Sequence, residues 1–421
     1  MIYKLRQRDE AKRYIGILLI IVFHVFYLTF LPFRNQTWSR LAWILSAAGF
    51  VLYLPGVLGI MKKYAYLRFE LIYIYIIQVI ICIFSMLSYG QNMFDMFICA
   101  GAYLYLLLTP LIILSFSRSG IRRTMSLLVI LDTIYDVIVI ICALIKNFTG
   151  IMALNIQTVT SKTANVRIAT GALSPLVMVY LAYELLNEKK KIKPMVLLGI
   201  NLFFVIYIEQ TRVKEIAVII TLVAVAFSSL KSSKGRVLFI AVMVALTFMF
   251  VHLGGLDKLI ASFSIDPKVN ENYTSSLARV RAIQYFKSYT DDNVLFGMGY
   301  INPRTSYLRS IWSGPRQVFF FDDLGILGLF FKNGLLGISV FVSILFRMIF
   351  CAFRTKSKSN RIIMVGLLTF VSVSSISLSI FDGHRMPIVP FIIAISEYFI
   401  HGGCVESSEW HNNSEKKELV N

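Results

Sequence analysis

The stretch that decides the fold runs from Leu71 to Ser88 and reads Leu-Ile-Tyr-Ile-Tyr-Ile-Ile-Gln-Val-Ile-Ile-Cys-Ile-Phe-Ser-Met-Leu-Ser. It contains no charged residue, and its apolar residues form a continuous block. An uncharged apolar run of roughly 17–25 residues is what the hydrocarbon core of a bilayer requires of a spanning helix. The stretch therefore predicts a transmembrane helix.

Similar blocks recur along the whole chain of 421 residues, which is 57% apolar and 15% charged, with a mean hydropathy of +0.71. A typical soluble domain is about 45–50% apolar and about 25% charged. The blocks are too long and too uniformly apolar for barrel strands, so helices must satisfy the backbone within each segment. We predict an all-α polytopic membrane protein with twelve spans, near 14–31, 41–61, 71–88, 95–117, 125–145, 168–186, 195–208, 216–230, 237–253, 335–353, 362–380 and 388–400.

Basic residues are distributed unequally between the short connections. The chain has 42 Lys+Arg and 23 Asp+Glu, a net charge of +19. When the amino terminus is placed inside, most basic residues of the connections fall on the inner side, so the positive-inside rule puts both termini in the cytoplasm. Because these residues lack the interleaved aromatic rings that stack on bases, nucleic acid is not an expected partner.

One connection is long and is predicted to face outward. It is too rich in large apolar residues to be disordered, and loops of this length are usually functional. The predicted organisation is spans one to nine in 1–253, an extracytoplasmic loop with an amphipathic helix in 254–334, spans ten to twelve in 335–400 and a cytoplasmic tail in 401–421.

Three predicted spans, 195–208, 216–230 and 388–400, are shorter than a bilayer normally needs. Charged residues lie at their outer ends: Glu209, Arg212, Lys214 and Glu215 between the first two, and Asp382, His384 and Arg385 before the third. Either the outer ends are recessed and these charges line a funnel, or the bilayer thins locally and the side chains snorkel to the interface.

Two acidic residues, Asp132 and Asp136, lie in the middle third of the fifth predicted span. Their i, i+4 spacing puts both on one helical face. Acids inside a membrane are costly and are functional candidates, and a pair suits proton or cation coupling. The alternative is that they are protonated or are paired with a basic residue of a neighbouring helix.

The loop contains a predicted helix over Ser275–Tyr289. On a helical wheel, Arg279 falls on the side of Ile283 and Phe286, and Arg281 lies about 160° away. An arginine on the apolar side must find an anion or a buried partner, whereas Arg281 can be solvated. We therefore expect Arg279 to bind an anion, with a structural salt bridge as the alternative.

Familiar soluble-cofactor motifs are missing from the sequence. It has no Gly-x-x-x-x-Gly-Lys-Ser/Thr phosphate loop and no His-Glu-x-x-His zinc motif. We therefore expect a membrane-delivered substrate, with no nucleotide, metal or other cofactor.

Three short motifs occur in order around the loop. Thr211-Arg212 opens a span before it, Arg279 is followed by a helix and then by Gly297-Met-Gly299, and Asp323-Leu-Gly325-Ile-Leu-Gly328 opens the helix after it. In these motifs, over about 195–350, the chain resembles the bacterial O-antigen polymerase and O-antigen ligase superfamily. The rest of the chain is similar only in hydropathy.

The resemblance implies a GT-C-like glycosyltransferase of the bacterial inner membrane. Its members use oligosaccharide repeat units linked to undecaprenyl diphosphate, so such a unit, membrane lipids and a chain-length regulator protein are the expected partners. Arg212 and Arg279 would hold the departing diphosphate, because a guanidinium group binds phosphate bidentately and stays charged.

The resemblance leaves the base for the acceptor hydroxyl unassigned. Ligase-type members carry a histidine shortly before the Leu-Gly stretch, where this chain reads Val318-Phe-Phe-Phe-Asp322-Asp323. This departure favours a polymerase. The candidate bases are Asp322, Asp323, Glu215 and His384, and the other expected substrate-binding residues are Lys214, Arg281, Arg316 and Arg385.

Two other functions are compatible with the sequence. A transporter, such as a flippase for the same lipid-linked unit, is favoured by twelve spans and by the acidic pair Asp132 and Asp136. The long loop and the lack of two matching halves oppose it, because many transporters are built from internal repeats. A ligase would transfer the glycan to a different acceptor.

Overall fold

Helices dominate the part of the chain that the structure, a computed structural model, describes. That part comprises residues 44, 47–48, 50–150, 159–160, 166–167, 173–189, 191–230, 232–252, 273–314, 319–382 and 385–405. The α-helices in it are α1 (Leu54–Lys63), α2 (Ala65–Tyr89), α3 (Met93–Ala100), α4 (Leu108–Ser119), α5 (Ile121–Thr149), α6 (Ser174–Asn187), α7 (Ile192–Phe203), α8 (Arg212–Ser229), α9 (Ser233–His252), α10 (Tyr273–Thr290), α11 (Ser306–Ser313), α12 (Gly325–Arg354), α13 (Lys358–Ser374) and α14 (Ile388–Ile400). The predicted span at 14–31 lies outside the described residues.

Shorter elements connect several of these helices. A 3-10 turn, Gly101–Leu107, joins α3 to α4, a second one, Phe321–Leu324, precedes α12, and a π-helical turn, Phe204–Glu209, follows α7. The two-residue strands β1 (Val159–Thr160) and β2 (Val166–Arg167) pair antiparallel. Strand β2 packs on both α5 and the π-helical turn.

Five helical segments of the described residues are long and apolar enough to cross a membrane: Ala65–Tyr89, Met93–Ser119, Ile121–Thr149, Ile192–Glu209 and Phe321–Arg354. Each contains or overlaps a predicted span. The segment Ile388–Ile400 is apolar but shorter. The prediction of a helical membrane protein agrees with these segments.

The connection before α8 is shorter than predicted. Helix α8 begins at Arg212 and has 18 residues, so Lys214 and Glu215 belong to its first turn. Only Gln210 and Thr211 separate it from the π-helical turn, and Gln210 has the left-handed φ of 50°. The predicted span at 216–230 was wrong at its start because Arg, Lys and Glu are good helix formers whose hydropathy is low.

Helices α6 and α14 lie inside the bundle. All residues of α6 from Ser174 to Tyr183 are buried, as are most residues of α14. Helix α6 packs on α7, α8 and α13, and α14 packs on α4 and α12. A helix that is apolar on every side is expected in such a central position.

A buried ion triad joins α2, α12 and α14. The guanidinium of Arg347 pairs with the carboxylates of Glu70 and Glu397, and its Nε donates to Glu70 over 2.6 Å. The hydroxyl of Ser343 also donates to Glu70 over 3.0 Å. Because removal of one partner would leave a buried charge uncompensated, the triad holds these three helices in register.

Helix α12 is kinked at Gly334, which has φ 60° and ψ −156°. A Cβ atom at Gly334 would lie 2.4 Å from the carbonyl group of Leu295, and one at Gly297 would lie 2.6 Å from the carbonyl oxygen of Phe331. The two backbones therefore approach so closely that only glycine fits at both positions. The Gly297-Met-Gly299 turn packs directly against this kink.

The described part of the loop has a hydrophobic cluster of its own. It is built from Ala282, Phe286, Met298, Ile301, Ile311, Phe321, Leu324 and Phe331. Helix α10 supplies the first two and packs on α12 and on the 3-10 turn Phe321–Leu324. The predicted helix over Ser275–Tyr289 is confirmed, and α10 extends it at both ends.

Candidate functional site

A small polar cavity lies where the loop meets the bundle. Its polar walls come from Tyr103, Asp322, Lys332, Asn333, Ser379 and Asp382. Its volume of about 10 Å³ is room for about one water molecule. Phe321, Leu329 and Phe381 supply its apolar walls, and polar groups that converge in a partly apolar pocket are typical of ligand sites. A sugar is much larger than this cavity, so a sugar substrate would bind over its mouth.

Two carboxyl groups, those of Asp322 and Asp382, meet in this cavity. Their side chains lie within hydrogen-bonding reach of each other, so the two carboxyl groups can share a proton. The Nη1 atom of Arg385 lies 3.1 Å from Oδ2 of Asp382 and donates to the main-chain carbonyl of Asp322 over 3.4 Å. The pair thus consists of the Asp382 side chain, balanced by Arg385, and a second carboxyl group, that of Asp322, beside it.

The ammonium group of Lys332 stands on aromatic rings at the same cavity. Its Nζ lies 5.7 Å from the ring centroid of Tyr300 and 5.4 Å from that of Trp312. Among the described residues, no carboxylate lies within 4.0 Å of it. A cation held by ring faces keeps its charge for a further partner, so Lys332 can bind an anion.

A buried polar network supports the cavity from below. The hydroxyl of Tyr300 donates to Oε1 of Gln78, and Nδ2 of Asn333 donates to the hydroxyls of Tyr300 and Tyr103 over 3.4 and 3.5 Å. Burial raises the pKa of Tyr300, so its hydroxyl stays protonated and remains a donor. These hydrogen bonds fix the loop residue Tyr300 against α2 and α12.

The next loop residues are clamped to α3. Gln91 donates to the carbonyl of Tyr300 over 3.1 Å and accepts from the amide of Asn302 over 2.7 Å. Oδ1 of Asp95 accepts from Nδ2 of Asn302 over 2.8 Å and pairs with Arg304 at 2.7 Å. The ring and carbonyl of Tyr300 therefore have a fixed position beside Lys332 and Asn333.

Arg279 and Arg281 lie on different faces of α10, as predicted. Arg279 is half-buried and shares a face with Phe286, whereas Arg281 is exposed. Phe286 stacks on Phe321 with a centroid distance of 3.9 Å, and Asp322 follows Phe321 in the chain. Seven residues of helix place Arg279 about 10 Å along the axis from Phe286. In the described part of the chain, Arg279 has no ion pair.

The residues predicted before α8 form a separate group. Arg212 is exposed and Glu215 is half-buried, whereas Lys214 is buried and its Nζ lies 2.5 Å from Oε2 of Glu209. Helix α8 packs on α6, α13 and the π-helical turn, and the helix of Arg279 packs on α12. A shared diphosphate clamp of Arg212 and Arg279 stays a prediction.

The remaining predicted residues lie apart from the cavity or outside the described residues. Asp323 is exposed, and Arg316 and His384 are not among the residues described. Sequence reasoning did not assign Lys332, the first charged residue of α12, to the site, and it named Asp382 only as one of the charges before the predicted span at 388–400. Both signals were present in the sequence.

Acidic residues also converge inside the bundle. Asp132 and Asp136 of α5 are fully buried, and Asp136 interacts electrostatically with Lys214 and Glu209. The predicted pair therefore has a basic neighbour on another helix.

Neither a protein-family model nor a curated protein sequence matches the chain.

Proposed function

We propose that this chain is a polymerase of lipid-linked oligosaccharide repeat units in O-antigen, capsule or exopolysaccharide synthesis. It transfers the growing glycan from undecaprenyl diphosphate to the acceptor sugar of another lipid-linked unit. The cavity carries the proposal, because Asp322 and Asp382 lie there beside Lys332 and Arg385. Glycosyl transfer from a diphosphate donor needs both a base for the acceptor hydroxyl and positive charge beside the leaving group.

The chemical step follows from these groups. The oxygen of the acceptor hydroxyl attacks the anomeric carbon of the donor. As it does so, the carboxylate of the Asp322 and Asp382 pair accepts the proton of that hydroxyl. The bond from that carbon to the diphosphate oxygen breaks, and undecaprenyl diphosphate leaves with the bonding electrons. Lys332 stabilises the charge that develops on the diphosphate, since its ammonium has no carboxylate partner within 4.0 Å among the described residues.

Arg279 extends this positive surface. It lies on the face of α10 that packs towards Phe321, and it has no ion pair in the described part of the chain. A half-buried guanidinium without a carboxylate partner is suited to a phosphate group. Arg212, exposed at the start of α8, is the second arginine of the proposed diphosphate clamp.

The proposed setting is the bacterial inner membrane. In it the chain has twelve spans in a GT-C-like arrangement, both termini are cytoplasmic, and the loop between spans nine and ten lies outside. The lipid carrier enters sideways between helices, so the reaction uses no soluble cofactor. A chain-length regulator protein is the proposed protein partner.

The decisive experiment is a reconstituted polymerisation. The full chain is purified in detergent and incubated with lipid-linked repeat units, without nucleotide or added metal, and the products are separated as a ladder. We expect Lys332→Met and Asp322→Asn to reduce ladder formation by at least about 100-fold, because each removes a charge or base used in the transition state.

Matched controls come from exposed residues of α10 and the turn after it. Lys287→Met and Asp291→Asn remove the same chemical groups from exposed positions, and both should leave the ladder unchanged. Gel filtration checks that every variant remains monodisperse. A normal ladder from the Lys332→Met and Asp322→Asn variants, or none from the unmodified chain, would contradict the proposal.

A transporter of the same lipid-linked unit is the second candidate function. The burial of Asp132 and Asp136 beside Lys214 favours it, because such groups commonly couple transport to protons or cations. Replacing both aspartates with asparagine would abolish coupled transport, whereas polymerisation in detergent would survive. A ligase differs in its acceptor, and adding a non-lipid-linked acceptor to the same assay separates the two activities.

A further inference from the structure

Asp136 has an unusual position for an ionisable side chain. It is fully buried near the middle of α5, and neither of its carboxyl oxygens has a hydrogen-bond partner among the residues that the structure describes. An ionised carboxylate that has lost water without gaining donors is strongly destabilised, whereas the neutral acid is much less so. The geometry therefore favours the protonated side chain.

The charges around Asp136 come from three elements. Asp132 lies one turn away on α5, Glu209 ends the π-helical turn, and Lys214 lies in the first turn of α8. The negative charge of Asp132 disfavours a second carboxylate at Asp136. The positive charge of Lys214 is engaged by Glu209 at 2.5 Å.

Among the described residues, the helices packed on α5 hold their charged side chains near the start of α5 rather than near Asp136. Helix α6 contains Glu184 and is followed by Glu188, and both interact with Arg122 at the start of α5, about 20 Å along the axis from Asp136. Arg118 lies in the last turn of α4, next to the start of α5. Lys193 lies in the first turn of α7. Strand β2, which also packs on α5, contains Arg167.

A second buried acceptor without a donor lies on α7. Nδ2 of Asn201 donates to the hydroxyl of Thr133 over 3.2 Å, and Thr133 lies one turn before Asp136 on α5. The carbonyl oxygen of Asn201 is buried and has no hydrogen-bond partner in the described part of the chain. The interior next to α5 thus contains three acceptor oxygens, two from Asp136 and one from Asn201, that have no donor among the described residues.

A proton satisfies these acceptor oxygens better than a metal ion does. Within the described residues, no three His, Cys, Asp or Glu side chains are close enough together to hold a metal ion. We propose that Asp136 is a proton-binding site inside the membrane, and that Lys214 moves from Glu209 towards Asp136 when the proton leaves. This inference does not depend on the proposed polymerase activity.

The lysine movement follows from charge balance. With the proton in place, Asp136 is neutral and Lys214 pairs with Glu209. After deprotonation, two buried carboxylates compete for one ammonium group, so the pair at the start of α8 weakens. Arg212 is in the same helical turn as Lys214, so the lysine movement that follows loss of the proton also changes the position of the Arg212 side chain.

The test is infrared difference spectroscopy on the full chain in lipid nanodiscs. The carbonyl stretch of a protonated carboxylic acid is recorded at pH 7 for the unmodified chain and for Asp136→Asn. We expect a band that is present in the first and lost in the second. The exposed-site variant Asp291→Asn is the control and should retain it. No band difference between the unmodified chain and Asp136→Asn would overturn the proposal.

Two charge variants keep Asp136 in place and test the lysine movement. Glu209→Gln frees Lys214 and should move loss of the band to lower pH, by about one pH unit or more, whereas Lys214→Met should move it to higher pH. Identical titrations of all three proteins would overturn the exchange. Titrations are repeated with sodium or choline chloride at equal ionic strength. A band that sodium displaces saturably would show a sodium site and overturn the proton assignment.

Discussion

The backbone amide of Met298 donates a 2.8 Å hydrogen bond to the carbonyl of Phe331, an acceptor that the kink at Gly334 removes from the helical pattern of α12. Three more backbone hydrogen bonds join the same two segments. The amides of Gly299, Leu335 and Leu336 donate to the carbonyls of Lys332, Val294 and Leu295, respectively. The loop therefore supplies the hydrogen bonds that the kinked helix lacks. This exchange positions Lys332 and Asn333 at the cavity.

Gly334→Ala should release the loop from α12. A side chain there would adopt a left-handed φ and would overlap the Leu295 carbonyl, so we expect a loss of about 2 kcal/mol or more of stability. Thermal unfolding in detergent measures it. Gly199→Ala is the control, because it lies in α7 with nothing within 4 Å of its Cβ, and it should be neutral or slightly stabilising. Equal effects of the two substitutions would contradict this explanation.

Arg347→Met should destabilise the bundle strongly. The substitution leaves Glu70 and Glu397 buried without their cation, and loss of one partner of a buried pair costs about 3–5 kcal/mol. Neutralising both acids in the same chain should recover part of this loss. Arg122→Met breaks a largely exposed pair with Glu188 and should cost less than about 1 kcal/mol. Unfolding in mixed detergent ranks the variants, and an Arg347→Met effect as small as that of Arg122→Met would refute the role of the triad.

Asp95→Ala should loosen the loop over the cavity. It removes the acceptor of Asn302 and the partner of Arg304, at a cost of about 1–3 kcal/mol. Hydrogen exchange should increase in residues 300–305 and stay unchanged in α14. Asp95→Asn retains an acceptor oxygen and should have a smaller effect. Unchanged exchange in both variants would show that the clamp is dispensable.

Arg279→Ala should abolish long polysaccharide while the protein still inserts into the membrane. The expected loss is at least about 100-fold, because the half-buried cation is proposed to stabilise the leaving diphosphate. Arg212→Ala should have the same phenotype. Lys287→Ala, on an exposed site of the same helix as Arg279, serves as the control. Chain ladders in cells and immunoblots of membranes provide the two measurements, and normal ladders in both arginine variants would rule out the clamp.

Local sequence patterns were sufficient to predict the helices whose hydropathy or periodicity is uniform along their length. The uncharged block around Leu71–Ser88 predicts α2, the predicted span at 388–400 has the bounds of α14, and the wheel of α10 separates Arg279 from Arg281 correctly. Each of these depends on hydropathy or periodicity, which neighbouring residues alone determine.

Contacts between distant parts of the chain were not predictable in this way. The sequence gives no reason to pair Asp322 with Asp382, because the loop and the turn before α14 meet only after the helices pack. The kink at Gly334 was missed because its hydrogen bonds come from residues 294–299 rather than from the helix itself. Burial of Lys214 was missed for the same reason, since its helix packs on α6, α13 and the π-helical turn, which supplies its partner Glu209.

The hydrogen bond from Tyr300 to Gln78 joins residues 222 positions apart. Most of the chain must therefore leave the ribosome before the polar side of α2 finds its final partner. Until then, the side-chain oxygen of Gln78 lies in the apolar stretch of α2 without its loop donor, and an unsatisfied polar group in the membrane is costly. Chains that stop before the Gly297-Met-Gly299 turn should consequently be degraded soon after insertion rather than accumulate as stable fragments.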